Sequence, residues 1–133
     1  MRSRVTAALV LALAGAVSIS CGGIVDPSQN TVEPFSGTVV PGGFSLVKFN
    51  AAKTGEIQVK MLTITPAAVQ ALAMQWVGSG DGSCNGQLWQ QAIATSNATA
   101  ISTQIQSGSY CLIVSEYVPL AVTANYSLTV SHP

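Results

Sequence analysis

Charge is what this chain has least of. Its 133 residues hold five Lys and Arg and five Asp and Glu, 8% in all, against ~25% in an average soluble domain. Both arginines, Arg2 and Arg4, stand at the extreme N-terminus. Beyond them the only cations are Lys48, Lys53 and Lys60, set against Asp26, Glu33, Glu56, Asp81 and Glu116, a balance of about −2. Three scattered lysines build no basic patch, and grip on a nucleic-acid backbone needs clustered Lys and Arg. Nucleic acid is therefore excluded as a partner. Apolar residues make up 48% of the chain, which excludes a disordered chain. Ser, Thr, Gln, Asn and Gly stand where Lys and Glu usually do, a composition that fits a β-rich extracytoplasmic protein.

The groups that carry enzyme chemistry are just as sparse. His132 is the only histidine and lies next to the C-terminus, a poorly fixed place for a general base. There is no Gly-x-Ser-x-Gly elbow, so His132 reads as a structural strand-end residue. A glycosidase needs two carboxylates facing one bond, and Asp81 with Glu116 is the only pair to consider. Asp81 alone cannot fill the six or more oxygen positions of calcium. With no histidine at ligand spacing, zinc is excluded too. The sequence leads us to expect no catalytic residue, no metal and no cofactor.

Long apolar runs are limited to one. Val5–Val17 is almost unbroken Ala, Leu and Val, too short for a membrane span of ~20 residues. Arg2 and Arg4 before it and small residues after it form an export signal over residues 1–20. The stretch Val17-Ser18-Ile19-Ser20-Cys21-Gly22-Gly23 resembles a bacterial lipoprotein signal, although Ser18 stands where Leu is usual. The resemblance implies that Cys21 becomes the first mature residue and carries acyl chains, each buried methylene adding ~0.8 kcal/mol of membrane affinity. It implies a cell-envelope location, with Gly22 rather than aspartate favouring the outer membrane. The alternative is cleavage after Ala16, giving a secreted protein with Cys21 as a free thiol. Residues 21–33 read as a flexible tether with Gly22, Gly23 and Pro27, and 34–133 as one domain.

Within that domain short alternating segments recur. Phe35–Val40, Phe44–Asn50, Glu56–Thr65, Ala71–Val77, Gln87–Ala94, Ala100–Gln106, Tyr110–Tyr117 and Asn125–Ser131 read as strands, punctuated by Gly, Pro and Asn turns. In the last, Tyr126, Leu128 and Val130 alternate with Ser127, Thr129 and Ser131, the mark of one buried face. The last two segments read as a C-terminal hairpin. A switch of alternation within Glu56–Thr65 predicts a bulge near Met61–Thr63. Seven or eight strands at this spacing predict an all-β antiparallel sandwich.

The stretches PFSGTVVPGGFSLVKFNAAKTGEIQVKMLTITP, SGSYCLIVSEY and NYSLTVSHP, spanning Pro34 to Pro133, resemble bacterial pre-peptidase C-terminal-type domains, closest to their small single-bridge relatives on exported proteins. The resemblance implies a jelly-roll-like sandwich with a non-catalytic accessory role. Members usually accompany secreted hydrolases, and some relatives bind calcium or carbohydrate. This chain departs twice. It carries no catalytic domain, and Ala67, Ala68, Gln70 and Ala71 occupy positions where acidic residues often follow the third strand.

With Cys21 assigned to lipid, Cys84 and Cys111 are left as a pair. In an exported chain a disulfide is the natural reading; a metal pair or two free thiols are the alternatives. Trp76 and Trp89 flank the Gly78–Gly86 turn cluster. Packing in the core is the ordinary role for each; an exposed ring would make either a ligand contact. The function these features suggest is a lipid-anchored binding or adhesion module of the cell envelope, touching glycan or an envelope protein. The alternative is an accessory domain for a separate exported hydrolase.

Overall fold

A computed structural model of the chain describes residues 26–133. The expected export signal, Cys21 and the start of the expected tether lie outside the described residues. Asp26 caps a single 3-10 turn, Pro27–Gln29, by accepting the Ser28 N–H at 2.9 Å. Eight strands follow: β1 (Thr31–Val39), β2 (Phe44–Ala51), β3 (Gly55–Thr65), β4 (Ala71–Gly78), β5 (Leu88–Thr95), β6 (Ala98–Ile105), β7 (Gly108–Glu116) and β8 (Ala124–His132). Most boundaries fall within two residues of the alternation pattern. The first does not. β1 begins at Thr31, so Thr31, Val32 and Glu33 belong to the sandwich rather than to the tether. They pair with His132, Ser131 and Val130 of β8. Pro34 inside this strand is tolerated because β1 is an edge, where a missing N–H faces away from the sheet.

The strands form two antiparallel four-stranded sheets, ordered β1-β8-β3-β6 and β2-β7-β4-β5. Every connection except β4–β5 crosses from one sheet to the other, the jelly-roll arrangement of two interlocked Greek keys. The hairpin expected at the C-terminus does not form. β7 lies between β2 and β4, and β8 between β1 and β3, in opposite sheets. Alternation reports which face of a strand is buried, not which strand lies beside it. Both strands turn one face to the same core, so either arrangement fits the pattern. The expected irregularity in β3 is present: its register against β8 shifts between Met61 and Thr63.

The core lies between the sheets. Ile57, Val59, Met61, Leu72, Met74, Ile101, Ile105, Leu112, Val114, Leu128 and Val130 are all essentially fully buried, each gaining about 1.5–3 kcal/mol from leaving water. The sandwich has two ends. Asn30, the connections 52–54, 79–87 and 106–107, and Pro133 gather at the N-terminal end. Connections 40–43, 66–70, 96–97 and 117–123 gather at the distal end, about 26 Å away along β1.

Candidate binding surfaces

The cysteines meet. Cys84 and Cys111 form a disulfide with a Cα–Cα distance of 5.6 Å. Tyr110, Leu112 and Val114 face the main core, so Cys111 points outward, and the bridge packs with Val77 and Ile113 on the outer side of the second sheet. It pins the 79–87 loop, which bends through positive φ at Gly80, Gly82 and Cys84. Lys48 donates to the Gly82 carbonyl, and Asp81 accepts the Ser83 hydroxyl and backbone N–H. Those two bonds lower the Asp81 pKa.

The two tryptophans divide the roles between them. Trp76 on β4 is buried, 3% exposed; Trp89 on β5 is 48% exposed. Trp76 pairs with Gln90 and Val77 with Leu88, leaving Trp89 as the extra residue of a bulge. Its ring stacks on Trp76 with centroids 5.9 Å apart. Trp76 in turn meets Tyr110 at 5.4 Å, Tyr110 meets Phe49 at 5.8 Å, and Phe49 meets His132 at 5.5 Å. This line of rings crosses the N-terminal end of the core from one sheet to the other. Beside it is a cavity of about 180 Å³ lined by Thr54, Trp76, Trp89, Gln104, Ile105, Gln106 and Tyr110. The Tyr110 hydroxyl donates to the Gln106 carbonyl at 2.9 Å, and burial raises its pKa. The buried Nε1–H of Trp76 has no partner among the described residues, a deficit that costs about 1–3 kcal/mol.

No catalytic constellation converges among the described residues. His132 is buried and its Nε2 lies 2.8 Å from Glu33 Oε1, a strand-to-strand tie between β8 and β1. Asp81 sits at the N-terminal end. Glu116 sits five residues beyond Cys111 on β7, about 16 Å along an extended strand, and accepts the backbone N–H groups of Gly42 at 3.1 Å and Leu120 at 3.0 Å. These bonds lower its pKa. The disulfide therefore does not bring the two carboxylates together. The resemblance raises calcium, but the residues do not fit it. The connection after β3 carries no acid, and no three His, Cys, Asp or Glu side chains cluster among the described residues.

The outer faces of the sheets differ in chemistry. On the first, Ser36, Thr38, Asn125, Ser127 and Thr63 lie in neighbouring registers; Thr38 donates to Asn125 at 2.8 Å, and Thr63 and Ser127 lie 2.7 Å apart. On the second, Phe44 stands in a row with Ser115, Ala73 and Ile93, and Leu46 with Ile113, Gln75 and Gln91. Phe44, Leu46 and Ile93 are exposed. Lys48 is the one charged residue on that face. It runs on to the distal end through Tyr117, which borders two depressions. One, of about 400 Å³, lies between 68–71 and 117–122; the other, of about 450 Å³, lies against Ala73, Gln75, Gln91 and Ile93. Tyr117, Val118 and Val122 are exposed around them. The exposed apolar surface thus lies mostly away from Trp76 and Trp89. Its members are scattered over β2, β5 and the 117–123 connection, and no window of sequence contains them.

No family model matches the sequence. No curated protein matches it. Solved structures do. The pre-peptidase C-terminal domain of collagenase from Bacillus anthracis is 20% identical over 76% of this chain and 88% of its own, with a TM-score of 0.54. The Yersinia pseudotuberculosis-derived mitogen is 16% identical over 78% of this chain and 87% of its own, with a TM-score of 0.56. At such identities the likeness speaks for the fold, and the fold of this chain is a β-sandwich like that of the pre-peptidase C-terminal domain.

Proposed function

We propose that the protein is a non-catalytic, lipid-anchored module of a bacterial cell envelope that binds an envelope protein through its apolar outer face. The observation that carries this reading is the near-uncharged surface running from Phe44, Leu46 and Ile93 to Tyr117, Val118 and Val122. Contiguous exposed apolar patches are uncommon on soluble domains and mark contact sites. Its position supports a protein partner over the bilayer. With Cys21 as the acylated residue, only ten residues lead from it to Thr31. The N-terminal end of the sandwich then stays near the membrane and the distal end points away from it.

A photo-crosslinking residue at position 118 of the full chain, in its native membrane, tests this. A discrete adduct at 118 and none at Gln58 on the polar sheet is the expected result; equal labelling at both sites, or none at either, refutes it. The second reading, an accessory domain for a separate exported hydrolase, draws on the likeness to the collagenase domain. An adduct that proves to be a hydrolase would favour it.

A further inference from the structure

Among the described residues the second sheet ends at two free edges, β2 on one side and β5 on the other. We propose that β5 of one copy pairs with β2 of a second copy of this chain, so that the sheet runs on from molecule to molecule. Strand direction allows it. β2 and β4 run from the distal end to the N-terminal end, and β7 and β5 run back. A copy laid beside the first in the same orientation therefore offers β2 antiparallel to β5, the next step of the same alternation. The first sheet does not continue in this way, because its β1 edge carries Pro34, which lacks the N–H that a ladder needs. β5 has no such guard. Leu88–Thr95 holds no proline, glycine or charge, and no Lys, Arg, Asp or Glu occurs from Gly82 to Ser115. Its bulge lies at Trp89 and leaves Gln90–Thr95 in regular pairing. Soluble proteins ordinarily protect an edge of this kind.

The side chains of the outer face favour a second copy over other occupants. Each row of that face starts on β2 and ends on β5. Phe44 and Ile93 end one row, with small Ser115 and Ala73 between them. Phe44 is 64% exposed and Ile93 52%, so the water-facing apolar groups stand at the two rims. Leu46 and Gln91 end the next row, Lys48 and Leu88 the third. Joining β5 to β2 with the rows in line sets Ile93 beside Phe44 of the next copy, an aromatic–aliphatic cross-strand pair. Gln91 comes beside Leu46. Lys48, the one charge on β2, meets Leu88 and the exposed Trp89 ring. Its stem then has an apolar neighbour, and its ammonium an aromatic face and no like charge. The contact is heterologous and open-ended, since the second copy presents its own β5. It uses Phe44, Leu46 and Ile93, as the reading given above does, but does not rest on that reading. It widens the apolar face and leaves 117–122 uncovered.

The test is sedimentation velocity of the mature full-length protein in detergent, across a wide range of concentration. We expect the mass to climb with concentration through successive copies. A charge on an edge strand blocks pairing, so Ile93→Asp spoils β5 and Phe44→Asp spoils β2. Each variant alone should stay monomeric. Mixed together, they should form dimers and nothing larger, because one intact β5 meets one intact β2. Val118→Asp should associate as the parent does. Circular dichroism confirms that each variant is folded. A parent that is monomeric at every concentration overturns the proposal. So does association that either single variant retains, or a mixture of the two that stays monomeric. The crosslink at position 118 tests the envelope partner separately, and neither result decides the other.

Discussion

Tyr126 shows how one residue sets the space around it. Its ring is buried against the core, and its hydroxyl donates to Ser45 Oγ at 2.8 Å, tying β8 to β2 across the sandwich. Gly37, opposite Tyr126 in the β1–β8 register, leaves that hydroxyl its room. A Cβ at position 37 would stand 2.5 Å from the Tyr126 hydroxyl and 2.6 Å from Ser45 Oγ. Gly37→Ala is therefore expected to destabilise the fold by roughly 1–3 kcal/mol, the range for overpacking a filled site, read as a lower urea midpoint. The glycine is plain in the sequence, but the need for it is not, because the side chain it makes room for is 89 residues away.

At the scale of elements, two ties hold loops to strands. The disulfide joins residues 27 apart, and closing that loop restricts the unfolded chain by about 3–4 kcal/mol. Reduction under non-denaturing conditions should lower the denaturant midpoint accordingly while leaving β-sheet circular dichroism in place at low denaturant. The second tie is Glu116, which gathers the β1–β2 turn and the β7–β8 connection through the N–H groups of Gly42 and Leu120. Its folded pKa lies below the ordinary 4.5. Its stabilising contribution is therefore present above that value and lost as pH falls through the lowered one. Glu116→Gln should be less stable than the parent at neutral pH, and the gap should close as pH drops below about 4.5. Equilibrium unfolding of both proteins across that range measures it.

At the scale of the whole molecule, the proposed anchor decides how the candidate surfaces are presented. Intact mass of the protein from its native membrane is expected to match a chain beginning at Cys21 with acyl groups attached, gaining two hydrogens on reduction. A mass for an unacylated start after Ala16 would place the protein free of the membrane and remove the reason for a distal orientation. The apolar face would then be open to any partner, a second copy included.

Strand positions, the burial of alternate residues in β8, the irregularity in β3 and the cysteine pairing were all determined by local sequence. Period-two alternation and turn residues act over short range, and the cysteine pair was reached by elimination once Cys21 was set aside. What only the tertiary structure decided is which strands are neighbours, and so what lies on each surface. β7 and β8 are adjacent in sequence yet belong to opposite sheets, and β1 begins four residues before Phe35 because β8 is there to pair with it. Trp76 and Trp89 look alike in sequence; Trp76 follows the inward alternation of Leu72 and Met74 on β4, while a bulge in β5 leaves Trp89 at the surface. The apolar face and the aromatic cavity each draw on strands and loops far apart in the chain. Such surfaces arise when chain crossings bring those segments together, and no local pattern encodes them.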